Sequence, residues 1–163
     1  NQPVSPLQRT KDIYEQRNKF TEKELKEFSI LFLIINNLDI FRKNVELVSE
    51  LNFSSDIINE FKRQLIDYLL SEKFYDKKKL KSEDLDKKFN NIINLINTNA
   101  PVKIISKRKN DIEIISMFNE IVSEINKIEL KNKIASLEDK VSVNLDENLY
   151  TELLSLRNQL KEG

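Results

Sequence analysis

Histidine, cysteine and tryptophan are absent from this 163-residue chain, and glycine occurs once, as the last residue. Without Cys or His there can be no Cys- or His-built zinc site, disulfide, thiol nucleophile or imidazole acid–base catalysis. A lone terminal Gly excludes a glycine-rich phosphate loop. The three prolines all lie at or before Pro101, so few breakers interrupt the chain. Charge of one sign is also missing: 27 Lys and Arg stand against 27 Asp and Glu, leaving no global field to recruit nucleic acid or an anionic membrane. The longest apolar run, Ile30 to Ile35, is far shorter than the roughly 20 residues that span a bilayer. No signal peptide is visible, so a soluble, cytoplasmic protein is expected. The chain does not begin with Met, and it is expected to be a fragment or a processed form.

What is present points to helices. Hydrophobic residues make up 39% of the chain, too many for disorder, and a chain of this length can bury about 70% of its unfolded surface without staples. Leu, Ile, Glu, Lys and Asn dominate, and the Ile, Asn and Lys richness reads as compositional bias as much as physical demand. Asn1 to Lys11 reads as a tether, and Asp12 to Phe20 as a helical lead-in. Thr21 followed by Glu24 has capping-box spacing and opens a helix to about Asn36 whose apolar residues go nearly all round, as in a central helix. Residues 40–51 form a second amphipathic segment after a break at Asn37 to Asp39. Ser54, Ser55 and Asp56 are candidate N-caps for a third helix packing through Ile57, Ile58, Phe61, Leu65, Ile66, Tyr68, Leu69 and Leu70. Ser82, with Glu83 and Asp84 behind it, reads as the cap of a fourth helix that runs to Asn97–Pro101.

The C-terminal third carries the organising signal. Ile114, Phe118, Ile121, Ile125 and Ile128 recur at helical spacing, and so do Leu130, Ile134, Leu137 and Val141. At roughly 100° per residue the two sets point to nearly opposite sides of one cylinder. A helix from about Asn110 to Val141 must therefore pack against two different things. Asn144 and Glu147 have capping-box spacing and open a last helix with an inner stripe of Leu145, Leu149, Leu153, Leu156 and Leu160. The expected fold is all-α: a multi-helix bundle, then a projecting two-helix hairpin, joined by a long shared helix. Residues 1–20 are a linker and lead-in, 21–128 the bundle and 129–163 the hairpin.

Candidate sites are few. The runs Lys77, Lys78, Lys79, Lys81 and Lys103, Lys107, Arg108, Lys109 suit phosphate contact or a solvated loop; lacking interleaved aromatics, they favour the latter. Asp84 and Asp86, and Glu22, Glu24 and Glu27, are explained by capping and solvation before any carboxylate site. No catalytic, cofactor or metal residue is expected. In the last helix, Tyr150 and Leu154 lie to one side of the leucine stripe, and Arg157 and Lys161 continue the row. A Tyr, Leu and Arg row on a thin hairpin has the composition of a binding hot spot; the alternative is burial of the row on the bundle.

The segments LFLIINNLDIF (Leu31 to Phe41), ELNFSSDIINEFKRQLIDYLL (Glu50 to Leu70) and NLYTELLSLRNQLKEG (Asn148 to Gly163) resemble the C-terminal helicase-binding domain of bacterial DNA primases. The resemblance runs from about Thr21 to the end and rests on order, spacing and hydrophobic pattern. One departure is that Asn36 is followed by Asn37 and Leu38, where many relatives have an Asn-His-Pro-like turn. The resemblance implies a six-helix body and a hairpin that docks on the N-terminal domains of the hexameric replicative helicase. The partner-binding residues then expected are Val143, Leu145, Tyr150, Leu154, Arg157 and Lys161. It implies no chemistry in this chain: the polymerase and zinc-binding domains would precede Asn1, nucleic acid would be met only through them, and no cofactor or membrane is involved. The fragment is expected to be a monomer, with exchange of the hairpin between chains left open. The alternative is a helical nucleic-acid-binding or other protein-interaction module.

Overall fold

The structure, a computed structural model, describes residues 19–72, 76–144 and 146–162. The tether and nearly all of the lead-in fall outside the described residues, as does Leu145. Among the described residues there is no strand, and the fold is all-α. Among the described residues seven α-helices follow in order: α1 (Glu22–Asn36), α2 (Leu38–Arg42), α3 (Val45–Ser49), α4 (Asp56–Leu70), α5 (Asn90–Asn99), α6 (Asp111–Val143) and α7 (Glu147–Glu162). Single 3-10 turns occupy Ser82–Asp84, Lys87–Phe89, Pro101–Lys103 and Ser106–Arg108. No helix among the described residues is long and apolar enough to cross a membrane. The chain divides into two compact units at Phe118 and Asn119, a point inside α6.

In the first unit α1 is the central element. The Thr21 hydroxyl accepts from the Glu24 N–H at 3.2 Å, and the Glu24 carboxylate accepts from the Thr21 N–H at 2.7 Å. This reciprocal pair satisfies two donors that a helix start leaves open. Every residue from Glu27 to Ile35 is buried, which requires neighbours on all sides. Phe41 and Phe118 meet at 5.1 Å between ring centroids, and Phe61 and Phe89 at 5.5 Å. These contacts tie α2 to the start of α6, and α4 to the turn before α5.

The break after α1 is legible in its hydrogen bonds. Ending a helix at Asn36 and restarting at Leu38 strands the Ile35 carbonyl and the Leu38 N–H inside the core, where unpaired backbone groups are costly. The 78–80 segment supplies both partners: the Leu80 N–H donates to the Ile35 carbonyl at 2.8 Å, and the Leu38 N–H donates to the Lys78 carbonyl at 3.0 Å. Asn36 and Asn37 donate side-chain amides to the Phe32 and Leu33 carbonyls. Asn44 and Asn99 do the same for Ile40 and Leu95. Asn59 clamps the loop before α4 by accepting from the Phe53 N–H and donating to the Phe53 carbonyl. These five asparagines therefore have structural roles at helix ends and in a loop.

Several local expectations are corrected. The break expected at Asn37 to Asp39 is shorter, since α2 begins at Leu38, and the amphipathic segment after it is the two short helices α2 and α3. On α4, Ile57 and Leu70 are exposed, and the packing face narrows to Ile58, Phe61, Leu65, Tyr68 and Leu69. Neither Ser54 nor Ser55 caps α4 with its side chain. Instead the buried Glu27 carboxylate reaches across from α1 and accepts from the Ser54 N–H at 2.9 Å and its hydroxyl at 2.8 Å. Ser82 does not open a fourth helix: α5 begins eight residues later, because Asp84 is turned inward. Its carboxylate accepts from the Lys77 ammonium and the Lys81 N–H, with the Tyr68 hydroxyl beside it.

In the second unit, the end of α6 packs on α7. Ile134, Leu137, Leu153 and Leu156 form its buried centre, with Leu130, Val141, Leu149 and Leu160 against it. These are the stripes that periodicity selects on each helix. The short link at 144–146 forces the helices antiparallel. Asp146, not Asn144 with Glu147, caps α7: its carboxylate accepts from the Asn148 N–H at 2.8 Å and its carbonyl from the Tyr150 N–H at 3.0 Å. Earlier in α6 the opposite face is buried, at Ile114, Phe118, Ile121 and Ile125. The change of buried side within one helix is thus present in the structure.

Candidate functional site

The outer row of α7 follows from helix geometry. Tyr150, Leu154, Arg157 and Lys161 fall within an arc of about 60°, roughly a quarter turn from the leucine stripe. Packing on α6 fixes the stripe, so the row is held at the edge of the pair. Tyr150 is 50% exposed and Leu154 42%. Together they form a two-residue apolar surface one helical turn long, and a large aromatic and an aliphatic side by side can seat in a partner's pocket.

Ion pairs border the contact between α6 and α7 on both edges. Arg157 donates through Nη2 to Glu138 Oε1 at 2.6 Å, from α7 to α6. On the opposite edge Lys133 faces Glu152 at 3.5 Å. Both pairs are about half exposed, so each contributes well under 1 kcal/mol to stability in water, but together they fix the rotation of α7 against α6. Arg157 thus holds the helix that presents Tyr150 and Leu154, with its charge met inside the chain. Lys161 is exposed at the C-terminal end of the row. Val143 is 88% exposed, but its helical phase puts it away from the α6 stripe and outside the Tyr150 row. Leu145 lies outside the described residues. The arrangement therefore gathers Tyr150, Leu154, Arg157 and Lys161, and leaves Val143 apart.

The two lysine runs differ in their surroundings. In the first, Lys77 is bound to Asp84, and Lys81 lies 3.7 Å from Glu83. Burial pushes the Asp84 carboxyl up, but the Lys77 ammonium and the Lys81 N–H, with the Tyr68 hydroxyl nearby, outweigh it and hold the group below the usual carboxylate range. Burial, with the Asp84 charge beside it, raises the Tyr68 hydroxyl. Arg42 donates to the Lys77 carbonyl at 2.8 Å, so this run is anchored against α2 and α4. Nothing in the spacing of Tyr68, Lys77 and Asp84 marks them as neighbours; the only signal was an acidic residue in a basic loop. In the second run, Lys103 donates to the Asn97 carbonyl at 2.9 Å and Lys109 to Glu113 at 2.8 Å. Lys107 and Arg108 have no ion-pair partner among the described residues.

No group of three or more metal-ligating side chains is brought together among the described residues. The chain matches no protein-family model, no curated protein and no solved structure.

Proposed function

We propose that this chain is the helicase-interaction domain of a bacterial DNA primase: a helical body with a C-terminal hairpin that binds the N-terminal domains of the hexameric replicative helicase. The observation that carries the reading is the exposed Tyr150–Leu154 surface on a helix whose other side is already packed. It stands in one of the three segments that resemble that family. In this role the domain has no chemistry of its own. It works in the cytoplasm and tethers primer synthesis, carried out by other parts of the parent enzyme, to the unwinding fork. Tyr150 and Leu154 are the anchors, Arg157 positions them through Glu138, and Lys161 offers a charge at the rim.

The test is a titration of helicase N-terminal domains with the Tyr150→Ala and Leu154→Ala variants, circular dichroism serving as the folding control. Hot-spot truncation costs about 2 kcal/mol or more, so affinity should fall roughly thirtyfold or more. Undiminished affinity in both folded variants would refute the assignment.

A further inference from the structure

Although the chain is neutral overall, residues 87–110 contain no Asp or Glu and carry six cations: Lys87, Lys88, Lys103, Lys107, Arg108 and Lys109. This stretch folds as the Lys87–Phe89 3-10 turn, α5 and the two 3-10 turns after it. A groove of about 390 Å³ runs along the outer face of α5, lined by Phe20, Asn91, Asn94, Leu95, Thr98 and Asn99. Asn99 spends its amide on the Leu95 carbonyl. The side chains of Asn91, Asn94 and Thr98 make no hydrogen bond to another described residue, so their donors and acceptors face the groove or solvent. Lys19 stands at its edge. At its far end Lys103, bound to the Asn97 carbonyl, ties the basic turn to the end of α5 and keeps two ammonium protons for another acceptor. Beyond it lie Lys107 and Arg108, and the exposed Ile104 (82%) and Ile105 (59%).

We propose that this face of the first unit binds single-stranded nucleic acid, with phosphates on Lys103, Lys107 and Arg108 and a base in the groove beside α5. Glu60 meets Lys88 at 2.7 Å and Glu113 meets Lys109 at 2.8 Å, which leaves Lys103, Lys107 and Arg108 for phosphate; such a cationic face suits any polyanion, and the groove decides between them. Amide and hydroxyl groups can read a base edge, Phe20 and Leu95 offer it an apolar wall, and Ile104 and Ile105 can pack on sugar. A lipid surface would use the cations and the two isoleucines but leave the groove and its amides empty. The strand is thereby met directly by this chain, not only through other domains of a parent enzyme. The inference does not rest on the identity of the hairpin's partner.

Fluorescence anisotropy of the full chain with a labelled oligothymidylate, across a salt series, tests it. Three phosphate contacts on a single strand give a slope of log K against log salt of about −2. Lys107→Glu with Arg108→Glu should weaken binding at least tenfold and flatten the slope. Asn94→Asp, which puts a carboxylate in the groove, should weaken it severalfold, while Asn94→Gln retains most of the affinity. Lys78→Glu with Lys79→Glu, in the other basic run, should leave affinity unchanged. Both double variants are solvent-exposed, and circular dichroism checks their fold. Equal loss in the two double variants, no complex at low salt, or binding to phosphatidylserine vesicles without binding to the oligonucleotide would each overturn the proposal.

Discussion

Leu153 and Leu154 are adjacent in sequence, yet they are 3% and 42% exposed, and that difference makes a sharp test of how the second unit is held. Leu153 sits in the four-residue centre with Ile134, Leu137 and Leu156. Truncating it to Ala removes three buried carbons and leaves a cavity, at a cost of about 2–5 kcal/mol. The helix it holds, α7, has 16 residues, close to the length at which an isolated helix is marginal in water. Losing that much packing energy should therefore release α7 before the first unit unfolds. Leu154→Ala removes a side chain already largely in water and should cost under about 1 kcal/mol.

Urea denaturation followed by far-UV circular dichroism, with amide exchange resolved along the chain, reads both effects. Leu153→Ala should show an early, shallow loss of helicity and fast exchange in α7, with α1 and α4 amides still protected. Leu154→Ala should follow the parent curve closely while losing affinity for the proposed helicase partner. Equal destabilisation by the two substitutions would refute the reasoning, because Leu154 would then be part of the packing and not an offered surface.

Other consequences follow from the first unit. Asp84→Asn should destabilise by about 1.5–3 kcal/mol at neutral pH, the range for hydrogen bonds to a charged group. Because the folded Asp84 carboxyl titrates below its usual range, its stabilisation is complete above the unfolded value near pH 4. It is lost as pH falls through the folded value. Acid titration of stability should accordingly be flatter in the variant, and an unchanged acid limb would contradict the Lys77–Asp84–Tyr68 cluster. Glu27→Ala removes the charged acceptor of the Ser54 N–H and hydroxyl and should cost about 1.5–3 kcal/mol in thermal or chemical melts; a cost near zero would mean that water replaces the carboxylate at the exposed Ser54. Thr21→Ala removes half of the α1 capping box and should cost about 1 kcal/mol, visible as a lowered melting temperature.

Legibility in the sequence followed the range of the interaction. The Thr21–Glu24 box, the nearly all-round burial of α1 and the leucine stripe of α7 are i, i+3 and i, i+4 patterns, and helix geometry alone decides them. Partners distant in the chain were not readable. Glu27 looked like a surface carboxylate because its neighbour Ser54 is 27 residues away. Asp84 looked like a helix cap because its environment comes from Tyr68 and Lys77. Once Asp84 turns inward, α5 cannot begin at Ser82, which is why that boundary moved. At the outer row of α7, phase alone placed Tyr150, Leu154, Arg157 and Lys161 together, but not the Arg157–Glu138 contact, which needs the register of two helices.

That register bears on why one helix should carry two buried faces. Had α6 kept a single stripe, its 33 residues would have offered one continuous apolar seam, and α7 would have had to compete for it with whatever buries Ile114 to Ile125. Moving the second stripe to the opposite side separates the two packing problems: Leu130, Ile134, Leu137 and Val141 are reserved for α7. The leucines of α7 are consumed by that contact, so Tyr150 and Leu154 are surplus to the packing of their own unit. An aromatic and an aliphatic side chain side by side on the exposed face of a helix form a patch that a partner can cover. A double substitution, Tyr150→Gln with Leu154→Gln, separates packing from recognition. If the row is surplus, this variant should be as stable as the parent and more soluble, and only its affinity for the partner should fall.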